Sequence, residues 1–218
     1  MAVLFDLDGT ILGARRNKHK IRKESTDEAG VEEIEDEKYY GTINEVLDGS
    51  KIKNRVPFFT KILDDEEKAE RLAPIYNEKS LDNAFVFPDA LEALEKIDEK
   101  KGLVTDGPAE VQRGKLENFG LSKYFDSIIV SGEVGVSKPD KEIFDFALDE
   151  LDSTADKSLY VGNVPQLDVQ GATNAGLVSV LRRNDGSDLP LEDSDHQPDY
   201  IVEDLTELLD ILDKEGIE

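Results

Sequence analysis

The chain has 218 residues, 50 Asp and Glu against 26 Lys and Arg, a formal charge of −24 and no cysteine. This length suits one large domain or a core with a smaller insert, the missing thiols exclude disulfides and thiolate metal sites, and the acidity argues against general nucleic-acid binding, which uses basic surfaces. No apolar run approaches the ~20 residues of a membrane span, and Asp6 and Asp8 interrupt the N-terminal apolar run that a signal peptide needs, so the expectation is a cytoplasmic protein with no membrane partner.

Residues 2–8 predict a first, buried strand that stops at two carboxylates. In Val3-Leu4-Phe5-Asp6-Leu7-Asp8-Gly9-Thr10, extended geometry would turn Asp6 and Asp8 to the same side. Two like charges at one point need a cation or a shared proton, and Mg²⁺ is the simplest cation for carboxylate oxygens. The alternative is a surface turn with solvated acids. Residues 14–23 hold six of the 26 basic residues. The cluster reads as a solvated helix face or loop, with attraction of an anionic substrate as the sharper alternative.

Residues 24–82 predict helices without strand alternation. Ser25-Thr26-Asp27-Glu28 has the character of a helix start. Val31, Ile34, Tyr39, Ile43, Val46 and Leu47 fall at helical intervals, a polar break follows at 48–55, and Phe58, Phe59, Ile62 and Leu63 and then Ala69, Leu72, Ala73 and Tyr76 suggest two more helices. Lys51, Lys53 and Arg55 in the break are basic candidates for substrate contact. The whole has the size of a small helical bundle.

From Pro88 the pattern alternates. Leu91, Leu94 and Ile97 form a helical stripe, and residues 102–106 a short strand ending in Thr105-Asp106-Gly107. A helix is expected over 108–119, a strand over 127–131, and a loop over 132–137. Lys138-Pro139-Asp140 is expected to open a helix with Pro in its first turn, whose core face is Ile143, Phe144, Ala147, Leu148 and Leu151. A fourth strand, 158–162, ends at Asn163 with Asp168 five residues on. Gly171, Ala172, Ala175 and Gly176 suit a helix packed closely on a sheet, and 177–181 is a fifth strand. After a loop at 184–199 come an edge strand at 200–202 and a last helix capped by Asp204 with Glu207. This order implies an α/β fold, a doubly wound parallel sheet with a helical insert. Ligands bind such sheets beyond the carboxyl ends of the strands, where Asp6, Asp8, Thr105, Asp106 and Asn163 all fall. The acids are spread between periodic apolar segments, which suits a folded protein from a high-salt interior, where the Debye length shrinks to ~3 Å at 1 M.

The ordered set Asp6-Leu7-Asp8-Gly9-Thr10, Thr105-Asp106-Gly107, Lys138-Pro139 and Gly162-Asn163-x4-Asp168 resembles the four motifs of the haloacid dehalogenase-like superfamily, mostly Mg²⁺-dependent phosphatases. The resemblance covers residues 2 to about 181. It implies a Rossmann-like core of residues 1–13 and 84–218 and a helical cap of residues 14–83. It implies Mg²⁺-dependent hydrolysis of a small phosphorylated metabolite, with Asp6 as nucleophile and Asp8 as acid and base. Thr105, Asp106, Gly107 and Lys138 would hold the phosphate, with Thr105 and Lys138 also counted as catalytic. Asp6, Asp8, Asn163 and Asp168 would hold the metal. Asn163 departs from the family's usual Asp and implies weaker Mg²⁺ binding. Three alternatives stay open: a phosphosugar mutase of the same fold, a catalytically weakened binding or regulatory protein, and a 2-haloacid dehalogenase. The last ranks lower because true dehalogenases lack the second acid, and Asp8 is present.

Overall fold

A computed structural model describes residues 2–47, 50–183 and 197–216. Six parallel strands form the main sheet: β1 (Ala2–Phe5), β4 (Lys100–Thr105), β5 (Ser127–Val130), β6 (Ser158–Gly162), β7 (Val178–Arg182) and β8 (Tyr200–Val202). Their order is β5-β4-β1-β6-β7-β8. The chain thus winds outward from β1 on one side, then returns to β1's other edge to continue. That reversal puts the switch point of the sheet between β4 and β6, at the carboxyl end of β1. The sheet is the doubly wound α/β fold that the alternation of elements predicts.

Alternation along β1 supplies two cores. Val3 and Phe5 face one cluster with Leu94, Ile97, Leu103, Leu159, Val161 and Leu208. Ala2 and Leu4 face another with Val104, Ile143, Phe144, Ala147, Leu148 and Tyr160. All four β1 side chains are fully buried, as a strand covered on both faces requires. On the second face, α8 (Lys141–Glu150) contributes the expected stripe from Ile143 to Leu148. The remaining core helices are α5 (Pro88–Lys96), α6 (Ala109–Asn118), the short α7 (Ser131–Val134), α9 (Gln170–Ala175) and α10 (Leu208–Glu215).

Between β1 and α5 the chain makes four helices: α1 (Lys18–Ala29), α2 (Asp36–Leu47), α3 (Val56–Leu63) and α4 (Glu66–Asn83). They have a hydrophobic core of their own, built on Ile21, Ile34, Tyr39, Phe58, Phe59, Leu72 and Tyr76. Its aromatic rings meet edge-on, Tyr39 on Phe58 at 5.0 Å and Phe59 on Tyr76 at 5.6 Å. The insert leaves and rejoins the sheet domain through an antiparallel ribbon of β2 (Leu12–Ala14) and β3 (Ala84–Val86). Asn83 clamps this crossing, its side chain bonded to the Arg16 N–H at 3.0 Å and the Arg16 carbonyl at 2.9 Å. A second tie runs through the segment before α3. Ile52 N–H donates to Gly132 O and Ile52 O accepts from Ala109 N–H, both at 2.8 Å. Gly132 permits that approach, since a Cβ there would lie 2.5 Å from Ile52 O.

Several local expectations are corrected. The first insert helix starts seven residues before Ser25, capped by Asn17, whose Oδ1 accepts from His19 N–H at 2.8 Å. Ser25 and Thr26 lie mid-helix and bond back to Ile21 O and Lys23 O; such residues cap helices only when the preceding turn is unwound. Val31 and Ile34 sit in the link between α1 and α2 rather than on a helix. The three-residue strands β2 and β3 are too short to show alternation. Ser131, expected to end the strand, opens helix α7 instead, which runs to Val134 where a loop was expected, and α8 begins after Asp140, with Pro139 outside its first turn. The Asp204–Glu207 capping box is present, but its first turn is a 3₁₀ turn that precedes α10. The side chains of Ile43 and Leu47, Asp48 and Gly49 of the polar break, and residues 184–196 of the expected loop lie outside the described residues.

Candidate active site

Extended geometry ends at Phe5. The chain then bends, with Ile11 N–H and Leu12 N–H both donating to Leu7 O, at 3.0 and 2.8 Å. Asp6 and Asp8 are therefore held by different partners instead of side by side in a strand. Asp6 is buried, and its Oδ1 accepts from Lys138 Nζ at 2.7 Å. Asp8 is half-buried, and its Oδ2 accepts from Lys115 Nζ at 2.5 Å and Gln112 Nε2 at 3.0 Å. Gly9 closes the turn at φ +98°, and a Cβ on it would overlap the Asn163 amide at 2.3 Å. Arg182, buried at the end of β7, ties the turn down by donating to Thr10 O while pairing with Asp89 at 2.7 Å.

Lys138 is the hub of a buried network. Its Nζ lies 2.7 Å from Asp6 Oδ1, 2.7 Å from Asp168 Oδ1 and 2.9 Å from the Tyr160 hydroxyl. Asp168 sits in a wide helical turn, Pro165–Val169. It also accepts from Tyr160 Oη at 2.9 Å and from the Asn163 and Val164 N–H groups at 2.8 and 2.7 Å. Both its oxygens are thus occupied by protein donors. Burial pushes Asp6 up to about 7, opposed by the Lys138 charge and reinforced by those of Asp168 and Asp8. Burial also works against the Lys138 ammonium, but Asp168 and Asp6 hold its pKa well above the ordinary value. Burial acts to raise Asp8 too, yet Lys115, Lys18 and the bonds from Lys115 and Gln112 bring it below the usual carboxylate range. Two carboxylates two residues apart are thereby driven in opposite directions, the pattern by which paired acids take different roles.

Thr105 is buried at the end of β4, and its hydroxyl accepts from Gln112 Nε2 at 2.6 Å. The Asp106 carboxylate accepts from Lys138 N–H at 3.2 Å. The Gly107 N–H, expected to face a phosphate, donates to Ser131 Oγ at 2.9 Å instead. The sequence reading missed Lys115, Gln112, Tyr160 and Ser131. Gln112 and Lys115 carried a usable signal, for they are three apart on α6 and share one helix face, and Lys115 Nζ reaches Gln112 Oε1 at 2.7 Å.

The expected substrate-side cations separate. Arg16, Arg22 and Lys23 of the basic cluster pair with Glu24, Asp36 and Glu33. Arg22 is wholly buried beside Tyr39 and serves the insert core. Lys53 is exposed and pairs with Glu110. Lys18 and Arg55 instead line a cavity of about 1100 Å³ between the insert and the sheet edge, together with Asp8, Lys115, Tyr76 and Asn163. Its size exceeds what a small ligand needs. Among the described residues no three His, Cys, Asp or Glu side chains form a metal-holding group, and no helix is long and apolar enough to cross a membrane. The metal donors at hand are oxygens alone: Asp6, whose Oδ2 takes no hydrogen bond among the described residues, the Asn163 side chain, and the backbone of the Asp6–Asp8 turn. Hard oxygen donors of this kind suit Mg²⁺, with less charge than a set of carboxylates would give.

Residues 3–181 match the family described as haloacid dehalogenase-like hydrolase. A glyceraldehyde 3-phosphate phosphatase of Methanopyrus kandleri is 30% identical over 97% of this chain and 96% of its own length. A ribulose-1,5-bisphosphate 5-phosphatase of Halopiger xanaduensis is 32% identical over 65% of this chain and 62% of its own. Among solved structures, a haloacid dehalogenase-type phosphatase from Thermococcus onnurineus superposes with a TM-score of 0.68 at 29% identity, covering 97% of each chain.

Proposed function

The chain belongs to the haloacid dehalogenase-like hydrolase family, and from its site we propose that it hydrolyses a small phosphomonoester through an aspartyl-phosphate on Asp6. The observation that carries this reading is the Asp6–Lys138–Asp168 network. It holds one oxygen of a buried carboxylate rigidly on a cation and leaves the other, among the described residues, without a hydrogen bond, at the carboxyl end of the sheet. Names of similar proteins, phosphatases of short phosphorylated sugars, support the same class of substrate.

In the proposed cycle Asp6 Oδ2 attacks phosphorus, the P–O ester bond breaks, and its electron pair leaves with the leaving oxygen, which takes a proton from Asp8. Water then attacks the phosphorus of phospho-Asp6 while Asp8 accepts its proton, and the P–O bond to Asp6 breaks with its electron pair left on the carboxylate, returning both carboxyl groups to their starting state. The low pKa of Asp8 suits the second half directly. For the first half it takes its proton from bulk water or from the monoanionic phosphate of the substrate before the ester bond breaks. Thr105 Oγ1 meets a phosphoryl oxygen, Gln112 orients the Thr105 hydroxyl, and Lys138, bonded to Asp6, offsets negative charge on the nucleophile and the phosphoryl group beside it. Asp6, the Asp8 carbonyl and Asn163 would hold Mg²⁺, with Asp168 behind them fixing the Asn163 backbone. When bound, Mg²⁺ supplies positive charge to the carboxylate and the phosphoryl oxygens. Residues 14–83 act as the cap that shields this centre from water.

The −24 charge supports a working environment of molar salt in the cytoplasm. The test is phosphate release from an aryl phosphate and a panel of phosphometabolites in 2–3 M KCl, with and without Mg²⁺. Activity that needs Mg²⁺ and vanishes in Asp6→Asn is expected; no release from any substrate would overturn the proposal.

A further inference from the structure

Five arginines, Arg16, Arg22, Arg71, Arg113 and Arg182, pair with carboxylates. Arg55 has no such pair among the described residues, although the chain carries 50 acids. Its Nε donates to Asn77 Oδ1 at 2.7 Å, its Nη1 donates to the Tyr39 hydroxyl at 3.0 Å, and its guanidinium lies 4.9 Å from the centre of the Tyr76 ring. All three partners are neutral. Tyr39 and Tyr76 are buried in the insert core, so the support is rigid. The contacts orient the fork without cancelling its charge, and Nη2 makes no hydrogen bond among the described residues. A planar fork held in this way is matched to a carboxylate or a phosphate, which it grips through two parallel bonds.

Lys18, the first residue of α1, lines the same cavity. It is exposed and has no hydrogen bond or ion pair among the described residues. Lys115 is the third cation there, already committed to Asp8 at 2.5 Å. Two sheet-edge carboxylates, Asp8 and Asp106, therefore share the cavity with these three cations. On the β7–β8 side the cavity is lined by Glu203 and Asp204 with Arg183, which leaves the insert wall as the face that favours negative charge. The transferred phosphoryl group has its own cation in Lys138, at the sheet edge.

We infer that the substrate carries a second anionic group, a carboxylate or a second phosphate, and that Arg55 and Lys18 receive it on the insert wall of the cavity. The inference rests on the phosphatase reading for the other end of the molecule and adds the class of substrate: a small phosphomonoester with two charged ends rather than a neutral alcohol or aldehyde at the far end.

The experiment is calorimetric titration of Asp6→Asn protein, which binds without turnover, in one fixed high-salt buffer. Fructose 1,6-bisphosphate is compared with fructose 6-phosphate, and 3-phosphoglycerate with glycerol 3-phosphate. The doubly charged member of at least one pair binds tenfold tighter or more, and the pair that shows it tells phosphate from carboxylate. Adding Arg55→Met reduces that advantage below about threefold, and Lys18→Gln reduces it in part. Lys61→Met, which removes an exposed pair with Glu45, leaves it unchanged. Equal affinities within both pairs, or an advantage that survives Arg55→Met, overturn the inference. Should Arg55→Met lose its helical circular dichroism, Lys18→Gln decides, and an undiminished advantage there overturns it. Discrimination in binding alongside no hydrolysis of any phosphomonoester would instead sink the phosphatase reading and leave the anion subsite standing.

Discussion

At the sheet edge, Lys138 is met by Asp6, Asp168 and Tyr160. Across the cavity, Arg55 is met by Asn77, Tyr39 and the ring of Tyr76. Both cations are anchored on their own domain's core. The first is neutralised within the chain, so its geometry is complete before any ligand arrives. The second is held by neutral partners alone, with Nη2 making no hydrogen bond among the described residues. Groups that must act on every turnover gain from preorganisation, whereas a group that selects among ligands gains from remaining unsatisfied until the right one binds. On the proposed function, this contrast would give the chemistry to the sheet and discrimination to the insert.

The largest effect expected is at the nucleophile. Asp6→Asn lowers kcat by about 10³-fold or more, measured as phosphate release, since losing an essential nucleophile costs on that order; activity within tenfold of the parent protein would move the nucleophile elsewhere and break the contrast at its root. Next is Lys138→Met, which leaves Asp6 and Asp168 buried without their cation. Breaking such a pair costs about 3–5 kcal/mol, read from urea unfolding at constant salt. A loss under 1 kcal/mol would mean that the sheet-edge charges are not neutralised by Lys138. Asn163→Asp sharpens the same side of the comparison. It restores a formal charge beside Asp6 and lowers the Mg²⁺ concentration needed for half-maximal activity about tenfold, equivalent to ~1.4 kcal/mol. A large gain in rate at saturating Mg²⁺ would instead favour a natively weakened site. The smallest effect belongs to the outer face of the insert, where Arg71→Ala removes an exposed pair with Glu67 and costs under ~1 kcal/mol. A larger loss would show that surface charge on the insert carries structural weight that its exposure denies.

How much of this was legible before folding varies by residue. Asp6 and Thr105 could be placed because each stands at or just after a strand end, a fixed place relative to the neighbouring strands, and Lys138 from the Lys-Pro step shortly before α8. Asp8 was readable as an acid but not in its role, since its state is set by Lys115, 107 positions away in sequence. Lys51, Lys53 and Arg55 are three like cations in one polar stretch, and nothing local distinguishes them. The fold leaves Lys51 and Lys53 exposed and seats Arg55 on two tyrosines. Arg22 shows the converse, a residue of an apparently solvated basic cluster that is wholly buried, beside Tyr39. The Gly107 N–H was a reasonable phosphate donor on sequence grounds until Ser131, from the neighbouring strand's end, took it.

The sequence by itself determined the order of strands and helices, the parallel sheet, and the ends at which reactive groups gather, because apolar periodicity and strand-end chemistry act over a few residues. Only the tertiary structure decided which charges cancel. Ion pairing and desolvation depend on distances between segments tens to more than a hundred residues apart, and those distances exist only once the insert has packed its aromatic core and docked on the sheet. That packing separated Lys138, neutralised and fixed, from Arg55, fixed and still charged.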